Sequence, residues 1–152
     1  MKRILMVCLG NICRSPLAEG ILKAKVSSEV LVDSAGTAGY HQGELPDKRS
    51  IEVARKNGID ITKQRSRKFI KEDFNNFDII YAMDKSNYQN LIHLADNKQE
   101  ADKVKLILNE LYPNKNCDVP DPYYGGKDGF ENVYTLLSEA CEVIANTINN
   151  ER

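Results

Sequence analysis

Excess charge of either sign is missing from this chain: 21 basic residues against 22 acidic ones leave a net charge of −1. Nothing in that balance draws the chain to nucleic acid or to a membrane surface. Long apolar runs are missing too. Lys2 and Arg3 precede an apolar stretch as in a signal peptide, but the stretch covers only residues 4–9 and stops at Gly10-Asn11. It is too short for a signal core and far too short to span a bilayer. There is no internal repeat and no low-complexity tract. The four cysteines, at 8, 13, 117 and 141, never fall as a Cys-x2-Cys pair and are few for a disulfide scaffold. A cytoplasmic, reducing compartment suits them. What remains is 152 residues, 41% of them hydrophobic. That fits one domain over residues 1–152 that buries about 70% of its unfolded surface.

The chemistry concentrates in Val7-Cys8-Leu9-Gly10-Asn11-Ile12-Cys13-Arg14-Ser15-Pro16. A short apolar strand leads into Cys8, and a helix begins at Arg-Ser-Pro. Five residues between Cys8 and Arg14 can curl so that their N–H groups point inward as an anion nest, continued by the free N–H groups of the helix. A phosphate dianion fits that description. Gly10 and Asn11 are expected to take the positive φ angles of the curl. Arg14 supplies a planar fork for two phosphate oxygens. The same positive field favours a thiolate at Cys8. Ser15 reads either as the helix N-cap, with Pro16 at the first helical position, or as a hydroxyl that bonds the Cys8 sulfur. With this composition a Cys-x5-Arg-Ser string arises by chance about 0.01 times per chain.

The rest alternates strand and helix. Residues 2–7 read as a buried strand, 15–27 as a helix and 29–33 as a second strand, a right-handed parallel unit. Residues 34–40 read as a small-residue loop on the same rim as Cys8. A helix over 46–56 ends at Asn57-Gly58. The run Arg65-Ser66-Arg67-Lys68 reads as a solvated face. A strand over 77–82 ends at Met83-Asp84, a helix covers 86–95, and the last strand covers 104–108. Asp118 and Asp121 lie in a turn-rich loop with Tyr123 and Tyr124, and both are candidate acids. A terminal helix over 128–149 places Cys141 on its core face. The expected fold is three-layer α/β/α around a parallel sheet of about four strands.

The phosphate-binding stretch resembles that of the low-molecular-weight protein tyrosine phosphatases. The resemblance continues at Asp33-Ser34-Ala35-Gly36, Lys71-Glu72-Asp73-Phe74, Met83-Asp84 and Asp121-Pro122-Tyr123-Tyr124-Gly125. It implies hydrolysis of phosphotyrosine and aryl phosphate monoesters through a phosphocysteine, with phosphotyrosine proteins as partners, inorganic phosphate as product and no metal or organic cofactor. It makes Cys8 the nucleophile, Arg14 the clamp, Asp121 the general acid and Ser15 an aid to thiolate departure. Leu9, Gly10, Asn11, Ile12 and Cys13 would hold phosphate, and Tyr40, Tyr123 and Tyr124 would line the cleft. Ser34, otherwise a turn residue, would support the loop through Asn11; Asp84 would position the arginine, cap a helix, or both.

One departure stands out: Gln64 occupies the place where the family usually carries a histidine. Glutamine bonds but cannot become charged, so loop support should depend less on pH. Three rivals share the pattern. Thiol-dependent arsenate reductases need a further close cysteine pair, and Cys117 and Cys141 stand apart. Protein-arginine phosphatases resemble the loop with threonine at the place of Ile12, and the isoleucine favours phosphotyrosine. A non-catalytic phosphopeptide-binding module would lack the nucleophile or the acid, and both are present. Cys13 either packs under the loop or forms a protective disulfide with Cys8.

Overall fold

Hydrophobic runs that alternate with amphipathic stretches form a parallel sheet here because only helices can cover both of its faces. A computed structural model describes residues 2–151, apart from the side chains of Tyr124 and Lys127. The strands are β1 (Arg3–Cys8), β2 (Leu31–Gly36), β3 (Ile79–Ala82) and β4 (Val104–Leu106). They lie in the order β2-β1-β3-β4, and every pairing is parallel. The helices are α1 (Arg14–Lys25), α2 (Lys48–Lys56), α3 (Asp73–Asn76), α4 (Lys85–Leu94), α5 (Lys98–Ala101) and α6 (Gly129–Asn150). None is long and apolar enough to cross a membrane.

Alternate residues of β1 serve opposite layers. Ile4 and Met6 pack with Leu17, Ile21, Leu22, Leu137 and Ile144, which belong to α1 and α6. Leu5 and Val7 pack with Phe74, Ile80, Leu91 and Leu106 on the other side. The terminal helix buries Val133, Leu137, Cys141, Ile144 and Ile148 as its spacing predicts, and burial pushes the Cys141 thiol up to about 12.

Two boundaries differ from the sequence reading in ways that matter for the site. Residues 34–36 are strand and not loop, because Ser34, Ala35 and Gly36 pair with Met6, Val7 and Cys8. Helix α1 starts at Arg14 with Cys13 at the cap position and no side-chain cap bond, so Ser15 is not its N-cap. The last strand ends at Leu106, and Ile107–Glu110 tightens into a 3-10 turn. The polar segment before it carries α5, capped by Asn97. The carboxyl ends of β1, β2 and β3 thus deliver residues 8–14, 37–41 and 83–84 to one rim, where an open parallel sheet offers its crevice.

Candidate active site

Cys8 ends β1, 3% exposed, and its sulfur collects two partners from the loop that follows. Asn11 N donates to Sγ at 3.3 Å, and Ser15 Oγ lies 3.0 Å away. The Ser15 oxygen accepts from Asn11 Nδ2 at 2.8 Å, and its own proton can serve either the sulfur or the Ala35 carbonyl at 3.5 Å. Of the two residues expected at positive φ, Asn11 has it (57°) and Gly10 does not. A Cβ at Gly10 would stand 3.0 Å from His41 Cδ2, a tight contact that the partly exposed imidazole would have to ease by a few tenths of an ångström. A Cβ on Gly36 would stand 2.7 Å from the Leu9 carbonyl oxygen, so the strand edge and the loop fit only without it.

The loop's shape is held from beneath. Asn11, 2% exposed, also donates to Ser34 Oγ at 3.0 Å and accepts from Arg67 N at 3.0 Å. Ser34 in turn donates to Glu19 Oε1 at 2.6 Å. Ser66 Oγ donates to the Gly10 carbonyl at 2.9 Å. In the run Arg65-Ser66-Arg67-Lys68 the outer two residues are exposed, as a solvated face would have them, but Ser66 is buried and Arg67 half-buried. These central residues brace the loop, and the Arg67 guanidinium closes on Asp73 (3.0 and 3.1 Å) and on Asp33 (3.2 and 3.3 Å). Gln64 Nε2 donates to the Pro16 carbonyl at 3.0 Å, a neutral tie to the start of α1.

Arg14, 7% exposed, donates through Nη1 to Asp84 Oδ2 at 2.8 Å and to the Val119 carbonyl at 2.9 Å. Asp84 both positions the arginine and caps α4, accepting from Asn87 N at 2.8 Å. Among the described residues Nε and Nη2 of Arg14 have no protein partner, so half of the fork is left for an anion. One cleft gathers Cys8, Leu9, Gly10, Ile12, Cys13 and Arg14 from the loop, Tyr40 from beyond β2, and Asp121 and Tyr123 from the segment before α6. Pro122 and His41 line it as well. Neither residue type nor spacing marks His41 in the sequence; only its place next to Tyr40 could have suggested it. Asp121 is exposed and accepts from Tyr123 N at 3.0 Å. Asp118, the other candidate acid, is held by Lys85 through N at 2.9 Å and Nζ at 3.1 Å, and it does not line the cleft. The Tyr124 side chain lies outside the described residues. Cys8 and Cys13 are both free thiols. Cys13 Sγ bonds the Tyr123 hydroxyl at 3.4 Å, and burial pushes its thiol up to about 11 against that bond.

Glu19 is 4% exposed, and burial raises its pKa above the ordinary glutamate value while Lys23 and Ser34 oppose the rise. A carboxyl that holds its proton more tightly folded than unfolded makes stability fall as pH rises from about 4.3, the unfolded value, through the raised folded one. Glu19→Gln removes that contribution. Melting curves of the two proteins at stepped pH are expected to show the wild type losing Tm relative to Glu19→Gln across that window. A constant difference would place the titrating group elsewhere.

Residues 3–152 match the family model described as low molecular weight phosphotyrosine protein phosphatase. The low molecular weight phosphotyrosine protein phosphatase of Schizosaccharomyces pombe is 45% identical over 89% of this chain and 89% of its own. A crystal structure of the protein tyrosine phosphatase from Entamoeba histolytica superposes with a TM-score of 0.91 at 37% identity, covering 99% of both chains. That of a Drosophila arginine phosphatase superposes at 0.87 with 33% identity, covering 97% of this chain and 98% of the other. With its family model matched over nearly the whole length and its fold shared with these enzymes, the chain belongs to the low molecular weight phosphotyrosine protein phosphatases.

Proposed function

We propose that this protein hydrolyses phosphotyrosine in proteins, together with simple aryl phosphates, by way of a phosphocysteine. One observation carries the reading: the Cys8 sulfur, bonded by Asn11 N and Ser15 Oγ, lies in the same cleft as the half-free Arg14 fork and Asp121. The loop N–H groups and Arg14 bind the phosphoryl oxygens, whose charge is spread most evenly in the transition state. Cys8 thiolate attacks phosphorus in line; an S–P bond forms and the P–O bond to the ring breaks. The departing phenolate takes a proton from Asp121. Water then attacks the phosphocysteine, giving its proton back to Asp121, and inorganic phosphate leaves as the S–P bond breaks. The Ser15 hydroxyl stabilises the returning thiolate. The loop and Arg14 supply the positive charge for both steps.

Substrate choice follows from the walls of the cleft. Leu9, Ile12, Tyr40 and Tyr123 offer apolar and aromatic surface to a ring, and Ile12 in particular favours an aryl group over a guanidinium. The similarity to an arginine phosphatase makes phosphoarginine the competing substrate. Initial rates on a phosphotyrosine peptide, para-nitrophenyl phosphate and free phosphoarginine, with arsenate reduction in parallel and with chelator and reductant present, separate these. Cleavage of both tyrosine-type esters is expected, with phosphoarginine at least about tenfold slower in kcat/KM. Activity confined to phosphoarginine or to arsenate would reassign the substrate, and silence on every substrate with phosphate still bound would indicate a binding module.

A further inference from the structure

The segment carrying Asp121 is fixed on one side through Val119, whose N–H donates to the Met83 carbonyl at 2.8 Å and whose carbonyl accepts from Arg14. On the other side it is fixed at Tyr123, by Cys13 of the phosphate loop at 3.4 Å and by residues that do not line the cleft. The Tyr123 hydroxyl donates to Asp47 Oδ2 at 3.0 Å. Asp47 caps α2 and also accepts from the Arg49 side chain at two 3.2 Å contacts. The Arg49 guanidinium sits 4.7 Å from the centre of the Tyr123 ring and 4.6 Å from that of Phe130, over both of them. Burial, Cys13 and Asp47 all push the Tyr123 hydroxyl pKa upward, so it stays a donor. Asp47 N donates to the Ile12 carbonyl at 2.8 Å, which ties the start of α2 to the phosphate loop itself. A continuous path therefore runs from the nucleophile's loop through Asp47 and Arg49 to the acid's segment.

We propose that Asp47 and Arg49 are positioning residues that latch the Asp121 segment over the phosphate loop, so that proton delivery to the leaving group depends on them. The proposal rests on the reading of Asp121 as general acid. Asp47 is 14% exposed but Arg49 is 53% exposed, and an ion pair so open to water on one side, two residues apart on one helix start, contributes little to stability. Its consistent use is orientation: it holds Tyr123, and Tyr123 N holds the Asp121 carboxylate.

The test reads the leaving group. The constant kcat/KM covers the steps through the first P–O cleavage, so its dependence on the departing phenol reports proton donation. Phenyl phosphate releases a phenol with a pKa near tyrosine's, about 10, and needs the proton; 2,4-dinitrophenyl phosphate releases a stable anion and does not. Arg49→Met removes the cation from the two rings, and Asp47→Ser keeps a capping hydroxyl while removing the carboxylate that Tyr123 and Arg49 share. Each variant is expected to lose about tenfold in kcat/KM on phenyl phosphate and less than about twofold on the dinitrophenyl ester. Asp121→Asn, measured alongside, is expected to show the same selectivity at larger amplitude. Equal losses on both esters, or none on either, with Asp121→Asn selective, would overturn the latch and keep the acid. Asp121→Asn without selectivity would remove the acid assignment and the latch with it.

Discussion

Cys8→Ser is expected to lower kcat/KM on a phosphotyrosine peptide by at least about 10⁴-fold while the protein still folds and binds phosphate. A serine hydroxyl at the end of β1 is nearly isosteric with the 3% exposed thiol. It can accept from Asn11 N and keep the contact with Ser15, so the loop loses little support. What disappears is the nucleophile. An alcohol in this site has no adjacent base to take its proton: Ser15, Asn11 and Arg14 are all donors or neutral groups. Phosphate affinity should hold or rise, because the oxygen brings no anion next to the bound dianion. Steady-state rates with a melting curve and a phosphate titration check this. Turnover comparable to wild type would remove the covalent route altogether.

Arg14→Lys is expected to lower kcat by about 10² to 10³, roughly 3–4 kcal/mol of transition-state stabilisation, with a smaller change in KM. The substitution keeps the charge. It loses the plane, in which one nitrogen serves Asp84 and Val119 while the other two remain for phosphate. A single ammonium cannot serve both the protein and two phosphoryl oxygens in one plane. The oxygens flatten into that plane only as the phosphoryl group transfers, so the deficit falls on kcat. Because the Val119 carbonyl also depends on Arg14, part of the loss should come through the acid segment. A rise in KM with kcat unchanged would reduce Arg14 to a ground-state binder.

The local parts of the site could be read from sequence because their chemistry is local. Cys8 to Ser15 is one short stretch from the end of β1 through the loop to the first turn of α1, and its spacing alone fixes which groups converge. The positive φ of Asn11 follows from its residue type, whereas the close approach of His41 to Gly10 is a contact 31 positions away. The strands of the fold were legible in their apolar runs. Ser34 to Gly36 was not, since nothing but pairing with Met6 to Cys8 keeps that small-residue stretch extended. The same holds for the brace. Arg67 meets Asp33 and Asp73 across three separate segments, and a charge run in sequence does not reveal that its carboxylate partners wait elsewhere. Helices α3 and α5 escaped notice because four-residue polar turns carry no period. Ser15 was ambiguous in sequence, as cap or as partner of sulfur, and the start of α1 one residue earlier decides for the sulfur.

A covalent phosphoryl group on Cys8 is the intermediate on which the mechanism stands, and rapid acid quench can trap it. Phosphotyrosine peptide labelled in its phosphate is mixed with enzyme, stopped within the first turnover and digested with trypsin. Label is expected on the fragment spanning residues 4–14, stable in acid as a thiophosphate ester, present in Cys13→Ser and absent in Cys8→Ser. Release of phosphate in that first turnover with no label on the protein, or label that persists in Cys8→Ser, would contradict that intermediate.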